Sequence, residues 1–417
     1  MITIRPFRAW RPNGKFVGEV ADLPYDVVTD DEVRERLKAH PYSFLRVDKP
    51  EAWCGATNQA DVAKAAHNAL QDLIDGGILV QDQQECLYIY GIESKWGSQY
   101  GIVGCFACQE YNEGKIKRHE KTRADKEADR ARHVEACKAH TGPIFLTCQE
   151  EKALQRWIRG YCRTYEALYA FQDEYGAWQA IYKVSGQKEL EELRSLFANI
   201  EALYVADGHH RLQAASTYAA SRSNEKQSKD RNGEGIKGEY DYFLGVVFPK
   251  SELCILDYNR VLKDESGLSK QAFLQQLEVN FHVTQISKEY FKPKTRHVLG
   301  MRYKKEWYAL SIREEVLVHY KDDVVGVLDT DLLQKLILGP IFHIQEPRTD
   351  KRIDFVGGVK GGEVLNDLTE DRWDVAFSLY PTSIEELIAV ADAGALMPPK
   401  STWFEPKLRS GLFIHSF

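Results

Sequence analysis

No apolar run in this chain approaches the roughly 20 residues a helix needs to cross a bilayer, and Met1-Ile2-Thr3-Ile4-Arg5-Pro6 lacks the apolar core of a secretion signal. An excess of positive charge is also missing. Lys and Arg number 55 against 62 Asp and Glu, a formal net of −7, so no global field draws the molecule onto nucleic acid or anionic lipid. Cysteine is sparse, eight in 417 residues, which excludes a disulfide-dense scaffold and suits reduced thiols in a cytoplasm. Cys105-x-x-Cys108 has no second pair to complete a zinc site, and neither a Gly-x-Ser-x-Gly elbow nor a Walker lysine occurs. These absences leave a cytoplasmic protein without membrane segments, whose affinity for any anion is local.

What is present reads as mixed α/β, with several sheets flanked by helices. A hydrophobic content of 43% with 28% charged residues supplies a large core over two or three domains. Thr29-Asp30-Asp31-Glu32 is a capping box ahead of Val33 and Leu37. A second helix is expected from Asn58 to a stop at Gly76-Gly77. Strands are expected at 86–90, 101–106, 203–206, 242–248, 353–356 and 375–379. Helical spacing appears at Leu190, Leu193 and Phe197, at Phe273, Leu274 and Leu277, and at Leu332, Leu333 and Leu336. Three domains follow: 1–150, 151–265 and 266–417. The polar stretch Ser221 to Glu239 is expected to be a mobile loop.

The strongest chemical signal is Leu203-Tyr204-Val205-Ala206-Asp207-Gly208-His209-His210-Arg211. A strand ends, glycine permits a tight turn, and Leu212, Ala215 and Ala219 begin a helical stripe. A helix N-terminus presents N–H groups and attracts anions by about 0.3–1 kcal/mol. Arg211 adds a charge-assisted bond of about 1.5–3 kcal/mol, and His209 and His210 are expected to be further donors that can be protonated near neutrality. The alternatives are that the histidines cap the helix while Asp207 binds nearby backbone, or that these groups hold a metal. Adjacent histidines rarely share one ion, and a Mg²⁺ brought by a nucleotide is easier to accommodate.

A charged block at 115–133 holds eight Lys or Arg and four Asp or Glu. It contains His119-Glu120, but Arg at 123 rules out the HExxH spacing of zinc proteases. What remains is an acid and an imidazole set in positive charge, or else a solvated helix face with i,i+4 pairs. Thr122-Arg123-Ala124-Asp125 could cap that helix. Met397-Pro398-Pro399-Lys400-Ser401-Thr402 sets Lys400 and Ser401 on a stiffened loop, for a phosphate or carboxylate or simply as a rigid surface. Gly357-Gly358-Val359-Lys360-Gly361-Gly362 reads as a hairpin turn rather than a phosphate loop.

Taken in order, several segments resemble one family. They are Leu23-Pro24-Tyr25-Asp26-Val27-Val28, Ser43-Phe44-Leu45, His119-Glu120-x-Thr122 with Asp129-Arg130, Gly142-Pro143-Ile144, Ala206 to Arg211, and Met397 to Thr402. The chain looks like the prokaryotic proteins grouped as domain of unknown function 1015, often labelled ParB-like. Its DGHHR turn is similar to the phosphate-binding turn of the ParB/sulfiredoxin superfamily, which includes free-serine kinases. That likeness implies a central ParB/sulfiredoxin-like strand–turn–helix in 151–265, in which Gly208, His209, His210 and Arg211 hold nucleotide phosphates and Asp207 lies at the reacting end. The expectation is therefore a phosphotransferase using ATP or ADP with Mg²⁺ on a small hydroxyl-bearing metabolite, such as a serine-like amino acid. Glu120, Asp207 and His119 are its candidate catalytic residues. Gly208 to Arg211, Lys400 and Ser401 are its candidate cofactor contacts. The alternatives are a ParB-like nucleotide-binding or partition-type module without turnover, and a phosphatase or nucleotidase using the same anion site. Nucleic acid is disfavoured as a partner by the net charge and the lack of a basic tail.

Overall fold

Thr29 and Glu32 close a capping box in both directions and start helix α1, Asp30–Ala39. Asn58 caps α2, Gln59–Asp75, which ends at Gly76. Both helices follow from the sequence because a short polar side chain meets an orphan N–H just before an apolar stripe. The computed structural model describes residues 1–149, 152–225, 238–287 and 289–417. Of the stretch expected to be a loop, residues 226–237 lie outside the described residues, while 221–225 continue a helix.

The chain forms two units. The first comprises Met1–Arg118, Thr122–Leu253 and Pro406–Phe417; the second comprises His119–Lys121 and Cys254–Glu405. In the first, nine strands make one sheet: β1 (Ile4–Arg5), β2 (Leu87–Ser94), β3 (Gly97–Ala107), β4 (Ile116–Lys117), β5 (Ile144–Cys148), β6 (Tyr169–Gln172), β7 (Trp178–Val184), β8 (Leu203–Asp207) and β9 (Tyr242–Pro249). Their order is β4-β8-β5-β9-β3-β2-β7-β6, with β1 paired to β3. Most neighbours are antiparallel, but β8 runs parallel to β4 and β9 parallel to β5. Segments on both sides of residue 150 thus feed one sheet. Strands β5 and β9 read as continuous apolar runs because they lie in its middle, with Leu146, Phe243 and Val247 buried against Phe106, Phe197 and Leu203.

Helices α3, Ala124–Cys137, and α4, His209–Glu225, belong to the same unit. Thr122 was expected as the cap of α3. Instead Arg123 occupies that position without a side-chain cap, and the Thr122 hydroxyl bonds Glu127.

The second unit is built on a six-stranded antiparallel sheet of β10 (Tyr258–Leu262), β11 (Phe281–Ile286), β12 (Val298–Tyr303), β13 (Glu306–Ile312), β14 (Ile353–Gly357) and β15 (Val375–Ser378), ordered β11-β13-β12-β15-β10-β14. Phe273, Leu299, Leu310, Leu333 and Phe377 fill its core. The helix expected around Leu332 is present as Asp329–Leu333 but widens into π-helical winding over Gln334–Leu338. The glycine-rich segment after β14 is not a hairpin turn. Gly358–Lys360 is a single 3₁₀ turn that leads towards the helix Val364–Asp371, so no return strand pairs there. Both units mix helices with sheets, and the fold is mixed α/β.

A candidate anion site at one edge of the first sheet

Strand β8 ends where β5 begins, since Asp207 pairs with Phe145 in the antiparallel register. The chain then turns on Gly208, whose φ of +94° suits glycine. Leu212 N–H bonds the Gly208 carbonyl and closes the first turn of α4. Arg211 folds back over this glycine: a Cβ at position 208 would sit 3.1–3.3 Å from its guanidinium. On the other side, a Cβ at Gly142 would lie 3.2 Å from the same group. The Arg211 Nη1 donates to the Pro143 carbonyl at 2.8 Å. Two glycines and one carbonyl therefore hold the guanidinium at the end of β8.

That guanidinium lines a cavity of about 30 Å³ together with Tyr25, Asp48, Arg130, His133, His140 and Thr141. Arg130 is buried, stacks over the Tyr25 ring at 4.2 Å and bonds Asp129 at 2.7 Å and the Asp48 carbonyl at 3.2 Å. Asp48 accepts from the Thr141 hydroxyl at 2.7 Å, and His133 lies 3.2 Å from that hydroxyl. Burial raises the Asp48 pKa against the opposing pull of Thr141, Ser410, Arg130 and Arg211. Burial also pushes the Tyr25 phenol up to about 12 and drives His133 well below the ordinary imidazole range. His140 is buried, and its Nε2 has no hydrogen-bond partner among the described residues. The space is that of one or two waters. It admits an anionic oxygen, so a larger anion would reach it with a terminal group.

Asp207 is held by two partners. Its Oδ1 accepts from the Gly208 N–H at 2.7 Å, and Lys407 Nζ donates to Oδ2 at 3.0 Å. Burial works to raise its pKa, but Lys407, Arg211 and His209 hold it well below the usual carboxylate range. The histidines differ from the expectation of protonated donors. His209 is buried, and burial lowers its pKa to about 4 despite Asp207, so it is neutral at pH 7. His210 accepts the Arg123 backbone N–H on Nε2 at 3.0 Å, which requires that nitrogen to be unprotonated. This bond ties the start of α4 to the start of α3. The starts of the two helices are thus brought together beside the turn, and a helix start leaves N–H groups without intrahelical acceptors.

The other sequence candidates belong to the second unit. His119 is buried; its carbonyl accepts from Met397 N–H at 2.7 Å, and Thr402 Oγ1 lies 3.5 Å from its Nε2. Glu120 is half-buried outside any helix or strand. The Ser401 hydroxyl donates to the Pro398 carbonyl at 2.8 Å and lies 3.0 Å from Thr330 Oγ1. Lys400 adopts φ +58° with its ammonium 5.7 Å above the Tyr258 ring. Sequence reasoning about single motifs passed over Asp48, His133, His140 and Thr141. The signal was indirect: Tyr25, Arg130, Gly142 and Arg211 come from four separately quoted segments and line one cavity.

The guanidiniums of Arg211 and Arg130 suit phosphate oxygens, as a nucleotide would offer. Among the described residues, no group of three His, Cys, Asp or Glu is placed to hold a metal ion.

The first unit is therefore an α/β module with a small cavity, lined by Arg130, Arg211 and Asp48, where a strand, a glycine turn and a helix meet. The chain belongs to the family described as protein of unknown function (DUF1015), whose model matches residues 4–331; Met397 to Thr402 lies beyond that match. The chain is also similar to solved structures. One is a free serine kinase in complex with AMP, at 10% identity and TM-score 0.38, covering 75% of this chain and 91% of that one. Another is a conserved hypothetical protein from Pyrococcus furiosus, at 13% identity and TM-score 0.35, covering 75% and 94%. A third is SbnI with C-terminal truncation from Staphylococcus aureus, at 12% identity and TM-score 0.37, covering 75% and 87%. No curated protein matches. Among the described residues, no helix is long and apolar enough to cross a membrane.

Proposed function

We propose that the chain is a nucleotide-dependent phosphotransferase acting on a small hydroxyl-bearing metabolite, with the DGHHR turn as its phosphate cradle. The observation that carries this reading is the clamped Arg211 guanidinium, which lines a cavity with Arg130 beside two joined helix N-termini. Phosphoryl transfer asks mainly for positioning and charge neutralisation, and a fixed guanidinium costs little to reorganise when the phosphate arrives. The likeness of this turn to the phosphate-binding turn of the ParB/sulfiredoxin superfamily agrees with the assignment.

Within this reading, Arg211 and the backbone N–H groups from Gly208 onward neutralise phosphate oxygens. His209 and His210 act as neutral imidazoles that shape the turn. Glu120 and Asp207 are the carboxylates offered for the substrate proton. Asp207, held far below its ordinary pKa by Lys407, Arg211 and His209, is a poor base. His119, Lys400 and Ser401 remain proposed contacts. ATP or ADP supplies the phosphoryl group and carries its own Mg²⁺.

The test is calorimetric titration of the full chain with ATP, ADP, AMP and inorganic phosphate, followed by turnover with Mg²⁺ and a panel of hydroxy amino acids. Arg211→Ala is expected to weaken nucleotide binding at least tenfold, the loss of about one charge-assisted bond. Glu120→Gln is expected to lower turnover while leaving nucleotide affinity in place. Nucleotide affinity untouched by Arg211→Ala would overturn the cradle. Nucleotide binding without turnover on any acceptor would favour the ParB-like binding module instead.

A further inference from the structure

The second unit contains a cavity of about 340 Å³ whose lining includes Arg260, Lys121, Arg348, Gln334, Phe355 and Met397. Cavities of this size hold small organic ligands. Arg260 sits on β10 and is 3% exposed. Its guanidinium donates to the carbonyls of Tyr258, Pro399 at 3.3 Å and Lys400 at 3.0 Å, and stacks 5.2 Å from the centre of the Phe355 ring. Among the described residues it makes no ion pair. Other buried arginines in the chain find acids: Arg409 meets Asp173 and Arg302 meets Glu370. A buried charge without a counter-ion is costly, and carbonyl bonds alone do not cancel it.

A second group on the same wall makes a complementary demand. Gln334 starts the π-helical stretch, a winding found disproportionately at functional sites. Its Nε2 donates to the Ile344 carbonyl at 2.7 Å, which fixes the amide, and its Oε1 is buried and has no donor among the described residues. Among the described residues the cavity thus offers a cation without an ion pair, an acceptor without a donor, and an apolar wall of Phe355, Met397, Pro398 and Pro399; Asp331, paired with Lys335 at 2.7 Å, and Glu346 complete the charged part of its lining.

We infer that this cavity is a binding site for a small organic acid carrying a hydroxyl or amino donor, with its carboxylate or phosphate on Arg260 and its donor on Gln334 Oε1. The site is complete within the second unit and does not depend on the phosphotransferase reading. Its acid group and donor would replace the missing partners of Arg260 and Gln334, while the proline-rich loop supplies the contact with the carbon skeleton.

Calorimetric titration of the full chain with α-hydroxy acids, α-amino acids and their phosphate monoesters, each beside the matching neutral amide or alcohol, tests the inference. At least one acid is expected to bind tenfold or more tightly than its neutral partner. Arg260→Gln is expected to abolish that preference, whereas Arg260→Lys keeps part of it. Gln334→Met removes the acceptor at similar volume and is expected to erase the advantage of hydroxyl or amino acids over the unsubstituted acid. That second variant decides the matter if Arg260→Gln does not fold. No acid binding better than its neutral partner, or a preference that survives both Arg260→Gln and Gln334→Met, overturns the proposal.

Discussion

Replacing Gly208 by alanine tests whether the turn and the guanidinium are one device. Two costs are expected. Position 208 has φ +94°, a region where an L-residue is strained by roughly 1–2 kcal/mol. The new Cβ would also stand 3.1–3.3 Å from the Arg211 guanidinium, tighter than ordinary packing, so the side chain must give by a few tenths of an ångström and its bond to the Pro143 carbonyl weakens. That bond, at 2.8 Å, involves a charged donor and is of the class that contributes about 1.5–3 kcal/mol. Gly208→Ala should therefore lower unfolding free energy by about 2–4 kcal/mol in urea titrations. Arg211→Ala alone should lose only the bond. If the methyl acts through Arg211, the double variant should be less destabilised than the sum of the single variants by about 1–2 kcal/mol, because the displaced bond can be lost only once. Additivity within about 0.5 kcal/mol would refute the coupling and, with it, the picture of a guanidinium braced by Gly208.

Acid should loosen the same turn. His209 has an ordinary pKa near 6.5 and a folded one of about 4, so the fold holds the neutral ring, and its contribution is present above pH 6.5 and lost as pH falls towards 4. Between pH 7 and pH 4.5 this amounts to about 2–3 kcal/mol, and His209→Gln should show a correspondingly shallower loss; equal slopes in the two proteins would refute the assignment. Arg409 pairs with Asp173 at 2.5 Å, both side chains 3% exposed. Arg409→Met should strand a buried carboxylate and cost about 3–5 kcal/mol by urea unfolding, and a cost below 1 kcal/mol would show that Asp173 is sufficiently satisfied by Gln179 and the backbone N–H groups of Tyr175 and Ala177.

Local rules carried well wherever a single side chain decides the backbone. Thr29 with Glu32, Asn58, and the apolar runs of β8 and β9 were legible because capping and continuous burial leave marks in a few adjacent residues. The segment Gly357–Gly362 was not legible, since the same glycines serve a hairpin and a 3₁₀ turn, and only the absence of a return strand separates them. Protonation of His209 and His210 was equally hidden. It depends on burial and on the Arg123 N–H, a neighbour 87 positions away. Asp48 is an ordinary acid in the sequence, and its raised pKa comes from burial, which outweighs the opposing pull of Thr141, Ser410, Arg130 and Arg211.

The first unit is also discontinuous in a way that bears on how it is made. Lys407 neutralises Asp207, and Arg409 neutralises Asp173, yet both lie in Pro406–Phe417, separated from Leu253 by the whole of Cys254–Glu405. A ribosome adding about 5–20 residues per second needs roughly 8–30 seconds to bridge that gap. Throughout that interval the nascent sheet holds two acids whose counter-ions do not yet exist. Its assembly on the ribosome stays provisional until the far end of the chain arrives to close it.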